Sequence, residues 1–530
     1  MNEQGMIDED GAQDAATRFL STPESYGFET PVSVIETHIS RIFLVGERAY
    51  KMKRAVLLPY VDFSTPQARL EACRKEVTLN SRTAPDLYLG TRRLTATSDG
   101  GLEFDGDGAL VDAVVEMKRF DQSCLLDRQA EAGELTPQLM RDVARTVLRF
   151  HESAPVVHAG GGADNIAGVL DINEAGFATS ALFSSHTVAA IGKRFRAGLA
   201  RHATLLDARE AAGKVRRCHG DLHLRNICMI DGAPRLFDCI EFNDQIATVD
   251  VLYDLAFLLM DLWHRGHRDL ANLVMNRYFD TQDEEDGFVL LPFFMAVRAA
   301  VRAHVTATQF EEGGRKIRAL ADEAQSYFDL AGALLEEPRA RLIAIGGLSG
   351  SGKTTVAEAL AAHVGAPPGA RILESDRLRK AMFNVAAETR LPAEAYSAEN
   401  SARVYADMAS RAGKLLADGG TVVADAVFDR PDDRARIMEC ARKTGTPCAG
   451  IWLEARAALL RRRVSERSAD GPSDATVAVL AGQLQRARGD VEWTRIDAAR
   501  PPERIVADIL ALPGAEIGPE RDGVRTGTRG

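Results

Sequence analysis

The chain has 530 residues, of which 45% are hydrophobic and 27% are charged, and its formal net charge is −11 at pH 7. This composition is ordinary for a globular protein and excludes disorder throughout the chain. The length is sufficient for two or more domains with hydrophobic cores of their own. Because nucleic acids and anionic membranes attract basic proteins, the acidic balance argues against either as a partner of the whole chain.

Three features predict a cytoplasmic protein without a membrane partner. No uninterrupted apolar run reaches the ~18 residues that a membrane span needs. The segment Met1–Asp14 is acidic and polar, unlike a secretory signal. The seven cysteines form no C-x-x-C pair, which is typical of reduced thiols. The sequence does not indicate an oligomeric state.

The N-terminal part begins with strands and continues mainly with helices. We expect a leader over residues 1–25 that is flexible apart from a short helix near its end. The leader is followed by β-favouring runs with one helical pattern among them, and long helical stretches come after these runs. This order predicts an α+β domain over residues 26–335. The predicted helix is Pro66–Ala84. The predicted strands are Val32–Glu36, Ile42–Val45, Ala49–Lys53, Thr91–Ala96 and Ala113–Lys118.

The C-terminal part alternates buried strands with helices, which predicts an α/β domain with a parallel sheet over residues 340–513. A polar, mostly helical stretch from Glu311 to Arg339 forms the predicted junction. The tail 514–530 is rich in Gly, Arg and Glu, and we expect it to be disordered. The predicted strands are Arg341–Ile345, Ile372–Glu374, Thr421–Ala424 and Gly450–Leu453.

The string His219-Gly-Asp221-Leu-His-Leu-Arg-Asn226 has the D-x-x-x-x-N spacing of a kinase catalytic loop. In such a loop the aspartate accepts the hydroxyl proton and the asparagine holds a metal ion. A predicted hairpin follows, and Asp238 at its end is the candidate for a second metal-binding carboxylate. Glu241 is near enough to serve metal or substrate, or to pair with an arginine. We expect His219 to orient the loop through a hydrogen bond.

This half resembles the aminoglycoside-phosphotransferase-like kinases, whose loop reads H-G-D-x-x-x-x-N. The strings HGDLHLRN, LFDCIEF and DVLYDLAFLLMDLW further resemble fused proteins that join such a domain to a P-loop kinase. The resemblance implies a lysine on the strand Ala49–Lys53 and an acidic partner on the next helix, for which Glu76 is the candidate. Lys51 and Lys53 share a face of the strand, and the Ala-x-Lys spacing favours Lys51 without excluding Lys53. No glycine-rich loop precedes them.

The string Gly347-Leu-Ser-Gly-Ser-Gly-Lys-Thr354 fills every fixed position of G-x-x-x-x-G-K-[ST], the Walker A pattern, between a predicted strand and a helix. Backbone amides of such a loop surround phosphate oxygens, the lysine reaches the β- and γ-phosphates, and the threonine hydroxyl binds Mg²⁺. The predicted nucleotide-binding residues are Gly347, Ser349, Gly350, Ser351, Gly352, Lys353, Thr354 and Thr355.

Other polar residues complete the predicted P-loop site. Asp425 closes a buried strand, where a Mg²⁺-orienting carboxylate or a simple cap belongs. Asp376 follows another strand and is the candidate general base, although it could also cap a helix. The arginines at 461, 462, 463 and 467 are typical of a lid that neutralises transferring phosphates, with Arg463 and Arg467 as the candidates, or of a solvated helix face.

This half resembles the small P-loop kinases of the gluconate-kinase, polynucleotide-kinase and zeta-toxin type. The sequence therefore predicts an ATP- and Mg²⁺-dependent phosphotransferase with two modules that act on small-molecule hydroxyls. Two alternatives remain. The N-terminal module could be a weak ligand sensor that regulates the P-loop kinase, or the C-terminal module could phosphorylate a nucleic-acid or nucleotide-sugar hydroxyl. The sequence identifies neither acceptor, and antibiotics do not follow from the resemblance.

Overall fold

The computed structural model describes residues 13–27, 29–37, 39–58, 61–158, 160–281, 284–312, 318–466, 472–486 and 491–512. The chain divides into two compact units. The first contains Met1–Arg265 and Phe294–Ala331, and the second contains Gly266–Phe293 and Gly332–Gly530. The packing therefore groups Gly266–Phe293 with the C-terminal unit, whereas the sequence analysis places all of 26–335 in one N-terminal domain.

An antiparallel sheet of six strands forms one part of the first unit, in the order β1-β2-β3-β8-β6-β7. The turn at Gly46 and Glu47 joins β2 to β3, and the β-favouring runs named above lie in strands except for Val32, which precedes β1. A separate short pair is β4 with β5. The strands are β1 Ser33–Glu36, β2 Ser40–Val45, β3 Arg48–Lys53, β4 Leu57–Leu58, β5 Val61–Asp62, β6 Tyr88–Ala96, β7 Leu102–Phe104 and β8 Leu110–Lys118.

The two faces of this sheet are covered by different helices. Ala16 and Leu20 of the helix Asp14–Ser21 are buried in a cluster with side chains on one face, and Leu70 and Cys73 of the next helix are buried in a cluster on the other. Alternation of strand side chains separates these two cores. The short helix that we expect near the end of the leader is present, and it packs on the sheet. Residues 1–12 and the predicted tail 514–530 lie outside the described residues.

The rest of the first unit is mainly helical, which confirms the predicted α+β class. Two short antiparallel pairs flank the catalytic-loop string: β9 Val215–Arg217 with β12 Thr248–Asp250, and β10 Ile227–Ile230 with β11 Ala233–Leu236. The helices in and leading out of this unit are Asp14–Ser21, Pro66–Asn80, Leu126–Glu131, Pro137–Ser153, Gly162–Thr179, Ser185–Ala211, Asp244–Ala247, Val251–His264, Leu291–Glu312 and Arg318–Leu334.

The second unit is built on a parallel sheet of five strands in the order β14-β15-β13-β16-β17, which confirms the predicted α/β class. The strands are β13 Leu342–Gly346, β14 Arg371–Glu374, β15 Val422–Asp425, β16 Cys448–Glu454 and β17 Thr494–Asp497. The helices are Arg268–Phe279, Lys353–Ala361, Ser375–Met382, Ala398–Ala417, Pro431–Lys443, Ala457–Ser465, Val477–Gln485 and Pro502–Leu510.

The helix Arg268–Phe279 covers the exposed edge of β14. The amides of Asn272 and Asn276 donate to the carbonyl of Ala370 at 3.0 and 3.2 Å, and the Asn276 side-chain oxygen accepts from the Ile372 amide at 2.8 Å. These side chains satisfy backbone groups that a neighbouring strand would otherwise pair. This pairing explains why the segment belongs to the second unit.

One stretch, Glu285–Glu311, is long and apolar enough to cross a membrane by length and composition. However, 67% of its most apolar window is buried inside the protein. A core helix of a soluble domain passes the same test, so this stretch is weak evidence for a membrane span.

Candidate active sites

The catalytic-loop string brings its two key side chains into contact. Asn226 donates from Nδ2 to the Asp221 carbonyl oxygen at 2.9 Å and to Asp221 Oδ2 at 2.8 Å. His223 Nε2 lies 3.3 Å from the same carboxylate, whose side chain is 38% exposed. Gly220 has a φ of +85°, and an added Cβ would lie 3.0 Å from the Ala247 Cβ, so this turn requires glycine. The loop thus presents one accessible carboxylate held by an amide.

Buried polar groups fix this loop from beneath. Asp254 accepts the backbone amides of His219 and Gly220 at 3.2 and 2.8 Å, and His151 Nε2 lies 3.1 Å from it. His219 Nε2 lies 2.9 Å from the Phe237 carbonyl oxygen, and burial lowers the pKa of His219. His219 is therefore a neutral side chain that orients the loop, as the sequence analysis expects.

Asp238 lies two residues beyond β11, which ends at Leu236, so the expectation that Asp238 ends the strand is wrong. Its backbone has a φ of +63°, a left-handed conformation that turns the carboxylate away from the strand path. The Asp238 amide donates to the Tyr88 hydroxyl at 3.1 Å. The carboxylate contacts Lys51 Nζ at 2.5 Å. Burial raises the pKa of Asp238, but Lys51 opposes this and the net pKa is below its ordinary value.

Five charged side chains form one cluster around Glu76, which is fully buried on the helix Pro66–Asn80. Glu76 Oε1 lies 2.9 Å from Lys51 Nζ, and Glu76 Oε2 contacts Lys53 Nζ. Lys53 also contacts Glu241, so the partner of Glu241 is a lysine and not the arginine considered from sequence. Burial lowers the pKa of Lys51, but Asp238 and Glu76 outweigh it and the net pKa is well above its ordinary value. Lys51 is therefore a cation.

The Asp221 carboxylate is ionised. Burial would raise its pKa, but the interaction with His223 and the charge of Arg302 hold the pKa of Asp221 well below its ordinary value. An ionised aspartate beside an asparagine amide can accept a proton from a hydroxyl group. This arrangement is what a phosphoryl-transfer base requires.

The glycine loop of the second unit leads from β13 into the helix Lys353–Ala361, the context that its sequence predicts. Gly350 has a φ of +84°, and an added Cβ would lie 2.6 Å from the Leu460 carbonyl oxygen. At Gly352 the nearest atom to an added Cβ is Arg463 Nη1 at 3.9 Å, so the loop is open there. Among the described residues, the buried Ser351 hydroxyl has no hydrogen-bond partner. This is the shape and chemistry of a phosphate cradle.

Thr354, in the first turn of the helix Lys353–Ala361, contacts Asp425 at the carboxyl end of β15. The Thr354 hydroxyl donates to Asp425 Oδ2 at 2.7 Å. Glu374 is the register partner of Asp425 on β14. Burial raises the pKa of Asp425 to about 6, with Lys353 and Thr354 opposing the shift. Burial and the Asp425 charge raise the pKa of Glu374 well above its ordinary value. A hydroxyl and a carboxylate so placed can bind a divalent cation.

The other predicted P-loop residues lie at different distances from this centre. Asp376 begins the helix after β14, is partly exposed, and raises the pKa of Asp425 and of Glu374 through its charge. Arg463 lies beside the loop and donates to the Ala498 carbonyl at 2.9 Å. Arg467 lies outside the described residues. Thr355 is exposed on the helix after the loop. The loop itself contains Gly347, Ser349, Gly350, Ser351, Gly352, Lys353 and Thr354.

Two family models match successive parts of the chain, and the first match extends into the segment Gly266–Phe293 that packs with the second unit. Residues 113–288 match the family described as Phosphotransferase enzyme family, and residues 342–489 match the family described as AAA domain. Uncharacterized proteins of Mycobacterium tuberculosis and Mycobacterium bovis are 30% identical over 487 residues, which cover 90% of this chain and 94% of theirs. The chain belongs to this family of two-domain proteins. It is a kinase with a phosphotransferase-family domain followed by a P-loop kinase-like domain.

Single domains of this family also match other kinases. An adenylyl-sulfate kinase of Myxococcus xanthus is 31% identical over 110 residues, which cover 21% of this chain and 55% of that protein. A gluconokinase from Sinorhizobium meliloti is 25% identical and covers 34% of this chain and 93% of its own, with a TM-score of 0.24. A choline/ethanolamine kinase family protein from Mesorhizobium loti is 14% identical over 62% of this chain and 96% of its own, with a TM-score of 0.39.

Several residues that support the sites in this family member are missed by the sequence analysis. Tyr88 and Asn80 position Asp238 and its neighbour, since the Asn80 side-chain oxygen accepts from the Cys239 amide at 2.9 Å. In the second unit, Gln483 accepts from the Ser349 amide at 3.0 Å. None of these residues lies in a recognisable motif, because their roles depend on long-range packing. Spacing within a single segment gives no signal for them.

Proposed function

We propose that this family member is an ATP- and Mg²⁺-dependent phosphotransferase in which both modules transfer the γ-phosphoryl group of ATP to a small-molecule hydroxyl. The observation that carries the proposal is that each unit contains its own complete set of groups. One unit combines Lys51, Asp221 and Asp238, and the other combines Lys353, Asp376 and Asp425. Phosphoryl transfer needs positioning and charge neutralisation more than covalent help, and both sets supply these.

In the N-terminal module, the acceptor hydroxyl oxygen attacks the γ-phosphorus and ADP leaves with the electron pair of the broken P–O bond. Asp221 takes the hydroxyl proton, which its ionised state permits. Lys51 is the phosphate-contacting residue, because it is the more exposed of the two lysines and reaches Asp238. Asn226 and Asp238 would hold Mg²⁺, which would neutralise charge on the phosphates.

In the C-terminal module, the loop amides and Lys353 would bind the β- and γ-phosphates. Thr354 and Asp425 would hold Mg²⁺, and their 2.7 Å contact supports this assignment. Asp376 would accept the proton of the acceptor hydroxyl, and Arg463 would neutralise charge that develops on the transferring group. The buried, unpartnered Ser351 hydroxyl fits a loop that completes its hydrogen bonds with phosphate oxygens.

One observation favours a sensor role for the N-terminal module as the second candidate. The turn before β2 contains no glycine, and Thr37 Oγ1 accepts from the Ser40 amide at 3.0 Å to close it tightly. A closed turn without glycine offers fewer free amides to ATP phosphates than a glycine-rich loop does. In this alternative the module would bind ligand and regulate the P-loop kinase without transferring phosphate.

Two single variants and their double test the proposal. We expect Asp221→Asn and Lys353→Ala each to abolish one Mg²⁺-dependent phosphoryl transfer from labelled ATP, and the double variant to abolish both. The assay uses metabolite hydroxyls with an oligonucleotide and a nucleotide sugar as further acceptors. If Asp221→Asn leaves every transfer unchanged, the N-terminal module is a sensor and the two-kinase proposal fails. If the protein phosphorylates the oligonucleotide or the nucleotide sugar and Lys353→Ala abolishes that transfer, the proposal of a small-molecule acceptor for the C-terminal module fails.

We also propose that the protein works in the cytoplasm. All seven cysteines are free thiols in the structure, and four of them are buried. Free thiols persist where the glutathione and thioredoxin systems keep them reduced.

A further inference from the structure

The segment Gly266–Phe293 brings a buried pair of opposite charges into the second unit. Arg277 lies in the last turn of the helix Arg268–Phe279, and Asp280 follows this helix directly. Arg277 Nη1 lies 3.0 Å from Asp280 Oδ2, and the two side chains are only 7% and 10% exposed. Buried charges need several partners to offset their lost hydration. The other partners of this pair therefore indicate which elements it holds in place.

Arg277 holds the helix that follows the glycine loop. Its Nη2 lies 3.4 Å from Glu358 Oε1 on the helix Lys353–Ala361. Glu358 is four residues after Thr354, so the two side chains are neighbours on the surface of this helix. Thr354 is the residue whose hydroxyl donates to Asp425. The contact with Arg277 thus fixes the helix that carries a proposed Mg²⁺ ligand.

Asp280 holds the segment that carries the candidate base. Its Oδ1 accepts from Arg371 Nη1 at 2.9 Å, and its Oδ2 lies 3.4 Å from Arg377 Nη1. Arg377 directly follows Asp376 in the chain and donates from Nε to Glu374 Oε2 at 2.9 Å. Asp280 therefore contacts one arginine at the start of β14 and another immediately after Asp376.

We propose that Arg277 and Asp280 are positioning residues of the P-loop site, which set the separation between the bound nucleotide and the acceptor base. This inference rests on the proposed function of the C-terminal module. Arg277 fixes the helix of Thr354, Asp280 fixes the segment of Asp376, and their mutual contact joins the two elements. The pair lies outside residues 342–489, which match the P-loop family, and inside the phosphotransferase-family match at 113–288. A segment that precedes the P-loop module in the chain thus completes its site.

Phosphoryl transfer is sensitive to this separation. The acceptor oxygen attacks the γ-phosphorus, its proton passes to Asp376, and ADP leaves with the electron pair of the broken P–O bond. Arg277 and Asp280 take no part in these bond changes. A misplacement of about 1 Å between reacting groups can lower a rate by about a hundredfold. Nucleotide affinity depends instead mainly on the loop amides and Lys353. A change at the pair should therefore lower kcat more than it weakens nucleotide binding.

The test compares kcat with nucleotide affinity in the full chain, with Asp221→Asn to silence the first module. Transfer of the labelled γ-phosphoryl group is measured to water and to the metabolite hydroxyl with the highest Lys353-dependent rate. Calorimetry with a non-hydrolysable ATP analogue and Mg²⁺ gives the Kd. We expect Asp280→Asn and Arg277→Met each to lower kcat per folded molecule about tenfold or more and to change the Kd less than about threefold. Asp280→Glu, which keeps the charge, should restore part of kcat.

A milder variant and a matched control accompany these changes. Glu358 is 33% exposed, and Glu358→Gln leaves Arg277 paired with Asp280, so this variant should fold normally. It should still lower kcat about threefold or more, because it releases the helix of Thr354. The control is Asp269→Asn on the same helix as Arg277, which removes the exposed partner of His363 at 3.7 Å and should leave kcat and Kd unchanged.

Melting temperatures and the folded fraction are measured for every variant. Wild-type kcat in folded Asp280→Asn and Arg277→Met proteins, or a loss of nucleotide affinity as large as the loss of kcat, would overturn the inference. If these two variants do not fold, Glu358→Gln decides, and an unchanged kcat in that variant would overturn it. If the parent protein shows no Lys353-dependent transfer to any hydroxyl or to water, the proposed function of the module fails, and the inference fails with it.

Discussion

Lys51 and Lys53 contact different oxygens of one buried carboxylate, that of Glu76. Lys51 is 12% exposed and also reaches Asp238, whereas Lys53 is 1% exposed and its other partner is Glu241. The greater exposure of Lys51 supports the proposal that Lys51, and not Lys53, would contact the phosphates of a nucleotide. In that proposal Lys53 holds Glu76 in the orientation that Lys51 requires.

The first prediction separates the two lysines. Lys51→Met should lower kcat/KM for Asp221-dependent transfer by about a hundredfold or more with little loss of stability, because it removes a charge-assisted phosphate contact. Lys53→Met should instead lower the free energy of unfolding by about 3–5 kcal/mol, since it leaves the buried Glu241 without a cation and removes one of the two cations that contact Glu76. Steady-state kinetics and denaturant unfolding measure both. If the Lys53→Met protein is stable but no longer binds ATP, and the Lys51→Met protein remains active, then Lys53 and not Lys51 is the phosphate-contacting lysine.

The second prediction concerns the buried pair of Lys53 and Glu241. A double-mutant cycle with Lys53→Met and Glu241→Gln should show a coupling of about 1–3 kcal/mol in the free energy of unfolding, because each single change leaves its partner buried and unpaired. The exposed pair of Arg128 and Glu131, 60% and 53% exposed, provides the control cycle, with an expected coupling of about 0.5 kcal/mol or less. Additive effects at Lys53 and Glu241 would show that they do not act as a pair.

The third prediction is a pH effect on stability at Asp425. Its pKa is raised from the ordinary 3.8 to about 6, chiefly by burial. The folded state therefore binds this proton more tightly than the unfolded state, so the free energy of unfolding falls as pH rises from about 4 to about 6 and stays lower above that range. The whole change is about 3 kcal/mol. The Asp425→Asn variant should lose this pH dependence. If the difference in free energy of unfolding between the wild type and the variant is the same at every pH, the prediction is wrong.

The same pKa predicts the pH profile of the P-loop module. Asp425 accepts the Thr354 hydroxyl and would bind Mg²⁺ as a carboxylate, so activity requires its ionised form. In the Asp221→Asn background, kcat/KM should fall about tenfold per pH unit below pH 6. Raising the Mg²⁺ concentration should move the fall to lower pH, because the cation competes with the proton. A flat profile between pH 5 and 7 would exclude Asp425 as the ionising group.

Local sequence patterns predict the parts of this protein in which residues that are close in the sequence, or that follow neighbouring strands, are also in contact in the structure. Asp221 and Asn226 touch because a short loop connects them. Thr354 meets Asp425 because β13, which leads through the glycine loop to Thr354, runs parallel to and beside β15. Both fold classes follow from the alternation of strands and helices. The predicted strand positions hold for the same reason, since a buried apolar run contains its own signal.

Long-range packing determines the parts that sequence does not predict. The grouping of Gly266–Phe293 with the P-loop unit depends on Asn272 and Asn276, two polar residues in an otherwise ordinary helix. The partner of Glu241 is a lysine on β3, 188 positions away in the chain. The leader helix packs on the sheet through Ala16 and Leu20, and Gln13 before it donates from Nε2 to Asp112 Oδ2 at 2.6 Å. No periodicity within a segment encodes such contacts.

The fourth prediction tests that grouping through Arg371, which is 2% exposed. Arg371 pairs with Asp280 at 2.9 Å and with Glu285 at 2.9 Å. Arg371→Met would remove the cation that these two acids share, while Asp280 keeps its pair with Arg277 and Glu285 keeps its pair with Arg411. It should lower the free energy of unfolding of the second unit by about 1–3 kcal/mol. The fluorescence of Trp452 and Trp493 can follow this transition, because both lie in that unit.

The matched control is Arg442→Met, which breaks an ion pair with Glu439 whose side chains are 62% and 42% exposed. We expect this change to cost about 0.5 kcal/mol or less. Equal effects of Arg371→Met and Arg442→Met would mean that the segment Gly266–Phe293 contributes little to the second unit.

The central claim is that the protein has two separate nucleotide sites, and counting bound nucleotides tests it most directly. Calorimetric titration of the full chain with a non-hydrolysable ATP analogue and Mg²⁺ should give two sites. Lys51→Met and Lys353→Ala should each leave one, and their combination none. A stoichiometry of one that Lys51→Met does not change would contradict the claim and leave the N-terminal module without a nucleotide.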